Sequence, residues 1–245
     1  MTTENGTNAT VSEITAERPD TAKSPRTADG CSIAPSCDNR EVIEAAVRAA
    51  AVPPFHAMAM SREAARLEAS GRRILHLEVG QPSTPLPALA REAVRSHLDQ
   101  PLGYTNAAGI HALRRRLAER EGVEIDRILV VAGASAGFTL AFLTLFEPGA
   151  RVGVLEPGYP CYRNALLALG IEPVPSPVGP ESRWAPTPAQ LVVAGELDGL
   201  VLASPSNPTG TILSGGALAA ITAACRARGI AVIADEIYHG IVDGP

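Results

Sequence analysis

The chain has 245 residues, 46% of them hydrophobic, and a formal net charge of -5. That length supports a sizeable core and suits one large domain or one and a half smaller ones, and the mild acidity argues against nucleic acid as the main partner, because phosphate backbones require a basic face. The four cysteines (Cys31, Cys37, Cys161, Cys225) form no C-x-x-C pair, the polar N-terminus has no apolar signal core, and no apolar stretch reaches membrane-spanning length. The sequence therefore reads as a soluble cytoplasmic protein with free thiols and no zinc or redox motif.

Residues 1–40 are rich in Thr, Ser, Asn, Asp and Pro and are expected to be a disordered tail, since so few apolar groups cannot offset the entropy of ordering. Lys23, the sole lysine of the sequence, lies in it. A helix is predicted over Glu41 to Ala51, broken by Pro53-Pro54, and another over Ser61 to Ser70 with Ser61 as N-cap and Gly71 as stop. Ile74 to Val79 reads as a short strand, and Pro87 to Leu98 and Ile110 to Glu121 as amphipathic helices. The arginines Arg114, Arg115 and Arg116 are expected on a solvated helix face.

Beyond Ile128 the order becomes regular. Strands are expected at 128–131, 151–155, 171–175, 200–203 and 230–234. Helices are expected at 138–146, 162–169 and 216–228. Continuous apolar runs alternating with helices predict an α/β fold, a mostly parallel sheet sandwiched by helices.

Ligands of such sheets bind at the carboxyl ends of the strands. Four segments occupy those places. Ala132-Gly-Ala-Ser-Ala-Gly137 opens a helix with small residues, so its amides could cradle a phosphate, or Ser135 could simply cap the helix. Glu156-Pro-Gly-Tyr-Pro160 places Tyr159 where it could lie against a flat ligand or pack on the sheet rim. Ser204-Pro-Ser-Asn-Pro-Thr-Gly210 fixes Asn207 in a rigid turn, free to read a ring oxygen or a carboxylate, or closed on its own backbone. Ala234-Asp-Glu-Ile-Tyr238 ends a buried strand in Asp235, a carboxylate that needs a donor there: a protonated ring nitrogen, the backbone of a following turn, or magnesium. Together the four match the needs of a phosphorylated, protonated pyridine.

With these motifs the chain resembles fold-type I pyridoxal-phosphate (PLP) enzymes, specifically class I/II aminotransferases, from about Glu41 onward. Gly80-Gln-Pro82, Tyr104…Gly109…Leu113-Arg114, Gly133-Ala-Ser-Ala136 and Pro157-Gly-Tyr-Pro160 support the resemblance. It implies a PLP-binding large domain over 81–245 and an incomplete small domain to which 41–80 contribute. It implies that the backbone of Ala134, Ser135 and Ala136 holds the phosphate of pyridoxal 5'-phosphate. Tyr159 would stack on the ring, Asn207 and Tyr238 bond its phenolic oxygen, and Asp235 pair with its nitrogen. Gly80 and Asn207 would contact the amino-acid or 2-oxo-acid substrate, and Tyr104 would reach the phosphate of the neighbouring subunit in a homodimer. The family's Schiff-base lysine falls beyond Pro245, and Lys23 fits neither its motif nor its place. The chain is therefore expected to be a fragment, inactive in transamination by itself. A carbon–sulfur lyase of the same fold and a non-catalytic PLP-binding module are the competing readings.

Overall fold

The computed structural model describes residues 46–101, 103–193 and 195–241. The expected tail, Lys23, Cys31, Cys37 and the start of the first expected helix lie outside them.

Four strands make one wholly parallel sheet in the order β2-β1-β3-β4: β1 (Arg151–Glu156), β2 (Glu172–Pro177), β3 (Gly199–Ala203) and β4 (Ala231–Asp235). The central strand β3 is buried along nearly its whole length, as its uninterrupted Gly-Leu-Val-Leu-Ala run demands. Side chains alternate between the faces. Val152, Val154 and Val201 meet Phe138, Phe142 and Phe146 at α5 (Ala134–Leu145), and Tyr162 and Leu166 from α6 (Pro160–Ala168). Val174, Leu200 and Leu202 meet Ile221 and Cys225 from α8 (Gly215–Ala227) on the opposite face. The expected sandwich is thus present. Gly199 is required here by space, because a Cβ on it would stand 2.2 Å from the Phe146 ring. Ser214 caps α8, its Oγ accepting from the Ala217 amide at 3.2 Å.

The two sheet edges differ. The Glu172 amide donates to the Ala150 carbonyl (2.8 Å) and the Val178 amide to Glu156 (2.9 Å), so even-numbered amides of β2 face β1. Pro173, Pro175 and Pro177 occupy the alternate, outward positions, where a missing N–H costs no ladder bond. On β4 the Ala231 amide donates to Asp198 (2.9 Å), and the Asp235 carbonyl accepts from Ser204 (3.0 Å). Its outward amides belong to Val232 and Ala234, which have no backbone acceptor among the described residues.

The earlier part of the chain is helical: α1 (Val47–Ala50), α2 (His56–Ala69), α3 (Ala88–Arg95) and α4 (His111–Glu121). A short α7 (Pro188–Val193) and single 3-10 turns at Ile125–Arg127 and Pro180–Ser182 fall where the sequence predicts no element. Neither the expected strand at 74–79 nor that at 128–131 forms. A strand needs a neighbour, and the Val130 amide finds only the Ala108 carbonyl (3.0 Å). Ser61 does not cap α2, which begins five residues earlier at His56; its Oγ donates instead to Glu78 Oε1 (2.9 Å). Nor is the arginine trio uniformly solvated. The Arg114 side chain is 12% exposed and donates to the Ile128 carbonyl (2.8 Å) and the Ile125 carbonyl (2.7 Å), while Arg115 and Arg116 face solvent beside Glu119. Among the described residues no helix is long and apolar enough to cross a membrane.

Candidate functional site

A cleft of about 630 Å³ opens at the carboxyl ends of β3 and β4 and at the N-terminus of α5. Gly80, Ala134, Ser135, Tyr159, Asn207, Asp235 and Tyr238 all line it. Ala136 lies one position deeper in α5, and Tyr104 stands outside the cleft, fully exposed.

Helix α5 starts four residues before the expected position, so the small residues form its first turn rather than a preceding loop. Gly133 is the N-cap, at φ 85° and ψ 166°, a conformation that a side chain would strain. The first intrahelical bond runs from the Gly137 amide to the Gly133 carbonyl (3.2 Å). The amides of Ala134, Ser135 and Ala136 precede it and have no intrahelical acceptor, at the positive end of a 12-residue helix. Ser135 is therefore not the cap; its Oγ lies 3.3 Å from Cys161 Sγ in the first turn of α6. Pro160 starts α6, where a residue lacking an N–H is no loss.

Asp235 closes β4 and is 8% exposed. One carboxylate oxygen, Oδ1, accepts from the Ile237 amide (3.0 Å), which makes the turn that carries Tyr238. The other, Oδ2, accepts from the Tyr162 hydroxyl at 2.5 Å. Burial first, and then the Asp235 carboxylate that accepts its proton, push the Tyr162 phenol far above the ordinary tyrosine range. Tyr162 thus stays a neutral donor toward the Asp235 carboxylate. The Tyr159 phenol is also raised, by burial first and then by Cys161, Tyr238 and Asp235. Its ring meets Tyr162 edge-on at 5.5 Å and Phe55 edge-on at 6.1 Å. Asn207 does not close on its own backbone; its Nδ2 donates to the Tyr238 hydroxyl at 3.4 Å, pairing two separate loops at one rim of the cleft.

Sequence reasoning missed Tyr162 as part of the site. The available signal was its place three residues after Tyr159, one helical turn on, together with the need of a buried phenol for an acceptor. It also missed the wall formed by Pro54 to Met58, read only as a helix break, and Glu78.

The donor set is specific in its chemistry. Unbonded amides at a helix N-terminus suit a phosphate. A buried carboxylate suits a cationic N–H, and the Asn207–Tyr238 pair suits an oxygen acceptor. The residues present therefore fit a flat, phosphorylated, protonated heteroaromatic ring.

Comparison with known proteins agrees with that chemistry. Residues 72–245 match the model of the family described as aminotransferase class I and II. The chain is 45% identical over 202 residues to a valine–pyruvate aminotransferase of Mycobacterium tuberculosis, covering 79% of this chain and 52% of the relative. An arginine–pyruvate transaminase of Pseudomonas aeruginosa is 32% identical over 190 residues, covering 74% of this chain and 48% of the relative. Among solved structures, an aspartate aminotransferase from Thermus thermophilus with maleate superposes with a TM-score of 0.77 at 29% identity, covering 83% of this chain and 56% of that one. The chain spans about half the length of the curated relatives it matches. Fold, strand-end motifs and similarity over most of the sequence converge on one conclusion: the chain belongs to the class I and II aminotransferase family.

Proposed function

We propose that this chain provides the cofactor-binding part of a PLP-dependent aminotransferase, which transfers an amino group between an amino acid and a 2-oxo acid. Residues 81–245 would form the large domain, 41–80 would contribute to the small one, and the protein would act as a cytoplasmic homodimer. The observation that carries the reading is the convergence of the α5 amides, Tyr159, the Asn207–Tyr238 pair and Asp235 on one cleft. When bound, pyridoxal 5'-phosphate supplies an electron sink for the bonds of the amino acid's α-carbon.

The chain's own groups have distinct tasks. The amides of Ala134, Ser135 and Ala136, with the Ser135 hydroxyl, hold the phosphate. Tyr159 packs against the ring face. Asn207 and Tyr238 hold the phenolic oxygen, and Asn207 also orients the substrate carboxylate. Asp235 keeps a proton on the ring nitrogen, and Tyr162 fixes the carboxylate in the orientation that does so. Gly80, without a side chain, leaves room for the substrate beside the ring. Tyr104 serves the phosphate site of the neighbouring subunit, which accords with its exposure outside this cleft.

Two of the relatives use pyruvate by name, and the 45% identical one uses valine, so valine with pyruvate is the first pair to assay. Titration with pyridoxal 5'-phosphate, followed by absorbance, is expected to saturate at one cofactor per chain. Absence of saturable binding to soluble protein refutes the reading.

A further inference from the structure

The stretch from Arg72 to Gly80 leads from α2 to the cleft and carries Val79 and Gly80 into its lining. It lies in no strand. Beyond Arg72, whose amide donates to the Leu67 carbonyl (3.2 Å), it makes no backbone-to-backbone hydrogen bond among the described residues. Side chains hold it instead. His76 Nδ1 lies 2.8 Å from Glu78 Oε1, and His76 Nε2 lies 3.0 Å from Glu68 Oε1 on α2. Ser61, also on α2, donates to the same Glu78 oxygen at 2.9 Å.

We propose that His76 is a positioning residue for the amino-acid substrate: as an imidazolium it bridges Glu68 to Glu78, and this latch holds Val79 and Gly80 in the cleft wall. The inference rests on the proposed aminotransferase function only for the identity of the ligand.

The geometry suits the protonated ring. A neutral imidazole carries one N–H, so it can donate to one of the two carboxylates and turns a lone pair toward the other. Only the cation donates to both. The charged groups that face His76 are Glu68 from α2 and Glu78 from its own stretch, and both draw its titration upward, Glu78 first. Glu78 is held down to about 2, chiefly by the His76 hydrogen bond and further by its own backbone and Ser61. The sign follows. A raised histidine contributes fully below its unfolded value and is lost as pH rises through its folded value. The latch therefore opens on the alkaline side, while Glu78 stays charged on the acid side until far below physiological pH.

The test uses a full-length protein that carries this chain together with a Schiff-base lysine, saturated with pyridoxal 5'-phosphate. Raising the pH from about 6.5 to about 9 is expected to raise KM for the amino acid about threefold to fivefold with kcat nearly constant, the size of two partly exposed ion pairs. His76→Gln should show the high KM at every pH and a flat profile. Glu68→Gln, at the exposed arm, should give a smaller rise and serves as the second variant if His76→Gln fails to fold. Two readouts do not depend on turnover. The His76 ring signals in NMR should titrate above the ordinary histidine value in wild type and fall toward it in Glu68→Gln. Tryptic cleavage after Arg72 and Arg73, normalised to a free peptide of the same sequence, should accelerate in His76→Gln. Cleavage and KM profiles that match wild type in both variants would overturn the proposal. Failure to bind the cofactor or to transaminate sinks the functional reading alone, because NMR and proteolysis still judge the latch.

Discussion

The sheet region from Ala132 to Asp235 and the preceding stretch from Ala46 to Val131 are built on different terms. The first contains every one of the largest fully buried side chains, among them Phe142, Leu166, Leu200 and Ile221. Among its described residues the second buries only Ala64 and Ala118 and leaves Leu75, Leu77 and Leu89 largely in solvent. The sheet region is held by its own packing. The preceding stretch is held by side-chain ties such as Arg114 on the carbonyls of Ile125 and Ile128 and His76 between two glutamates. Both reach the cleft, so one site is lined by a rigid rim and a tethered one.

Substitutions can break or sharpen that contrast. The largest effect is expected from Phe142→Ala, which removes a wholly buried ring and should cost about 3–5 kcal/mol in denaturant unfolding. Asp235→Asn should leave folding nearly intact yet weaken pyridoxal 5'-phosphate binding about 10- to 100-fold by absorbance titration, as expected for the loss of one charged hydrogen bond. A similar loss of folding would mean that the carboxylate is structural and would erase the distinction between rim and scaffold. Gly199→Ala drives a methyl into Phe146 and should destabilise by about 1–3 kcal/mol in the same unfolding assay. Tyr162→Phe keeps the ring and removes only the hydroxyl that Asp235 accepts, so about fivefold weaker cofactor binding is expected by the same titration. Leu77→Ser, at a side chain 93% exposed, should change unfolding free energy by less than about 0.5 kcal/mol.

The same contrast decides what could be read from the sequence. Of the four strands that formed, β3 is a continuous apolar run and β1 and β4 are nearly so, while β2 is a short proline-rich run; each pairs with another of them, so local signal and global pairing agree. Ile74 to Val79 carries an equally good alternation, with His76 and Glu78 on one side and Leu75 and Leu77 on the other, and still forms no strand. Alternation reports a two-faced extended segment and says nothing of whether a neighbour exists to pair with it. Helix ends slipped for a related reason: small residues at 134–137 read equally well as loop or as first turn, and only the Gly133 conformation decides. Within the site, residues at strand ends were legible because chemistry and position coincide there. The bond from Tyr162 to Asp235 spans 73 positions, and nothing local to either residue announces it.

The prolines of β2 carry a consequence for how the sheet can be extended. Every second position on that side is stripped of a donor, so an approaching strand would find carbonyls without the matching N–H groups, and addition there is blocked. The β4 side keeps its donors at Val232 and Ala234. Growth of the sheet is thereby made one-directional, and any strand that joins must settle directly beside Asp235. The same row of pyrrolidine rings that guards one margin against sticking to strangers steers every newcomer toward the margin that borders the cleft.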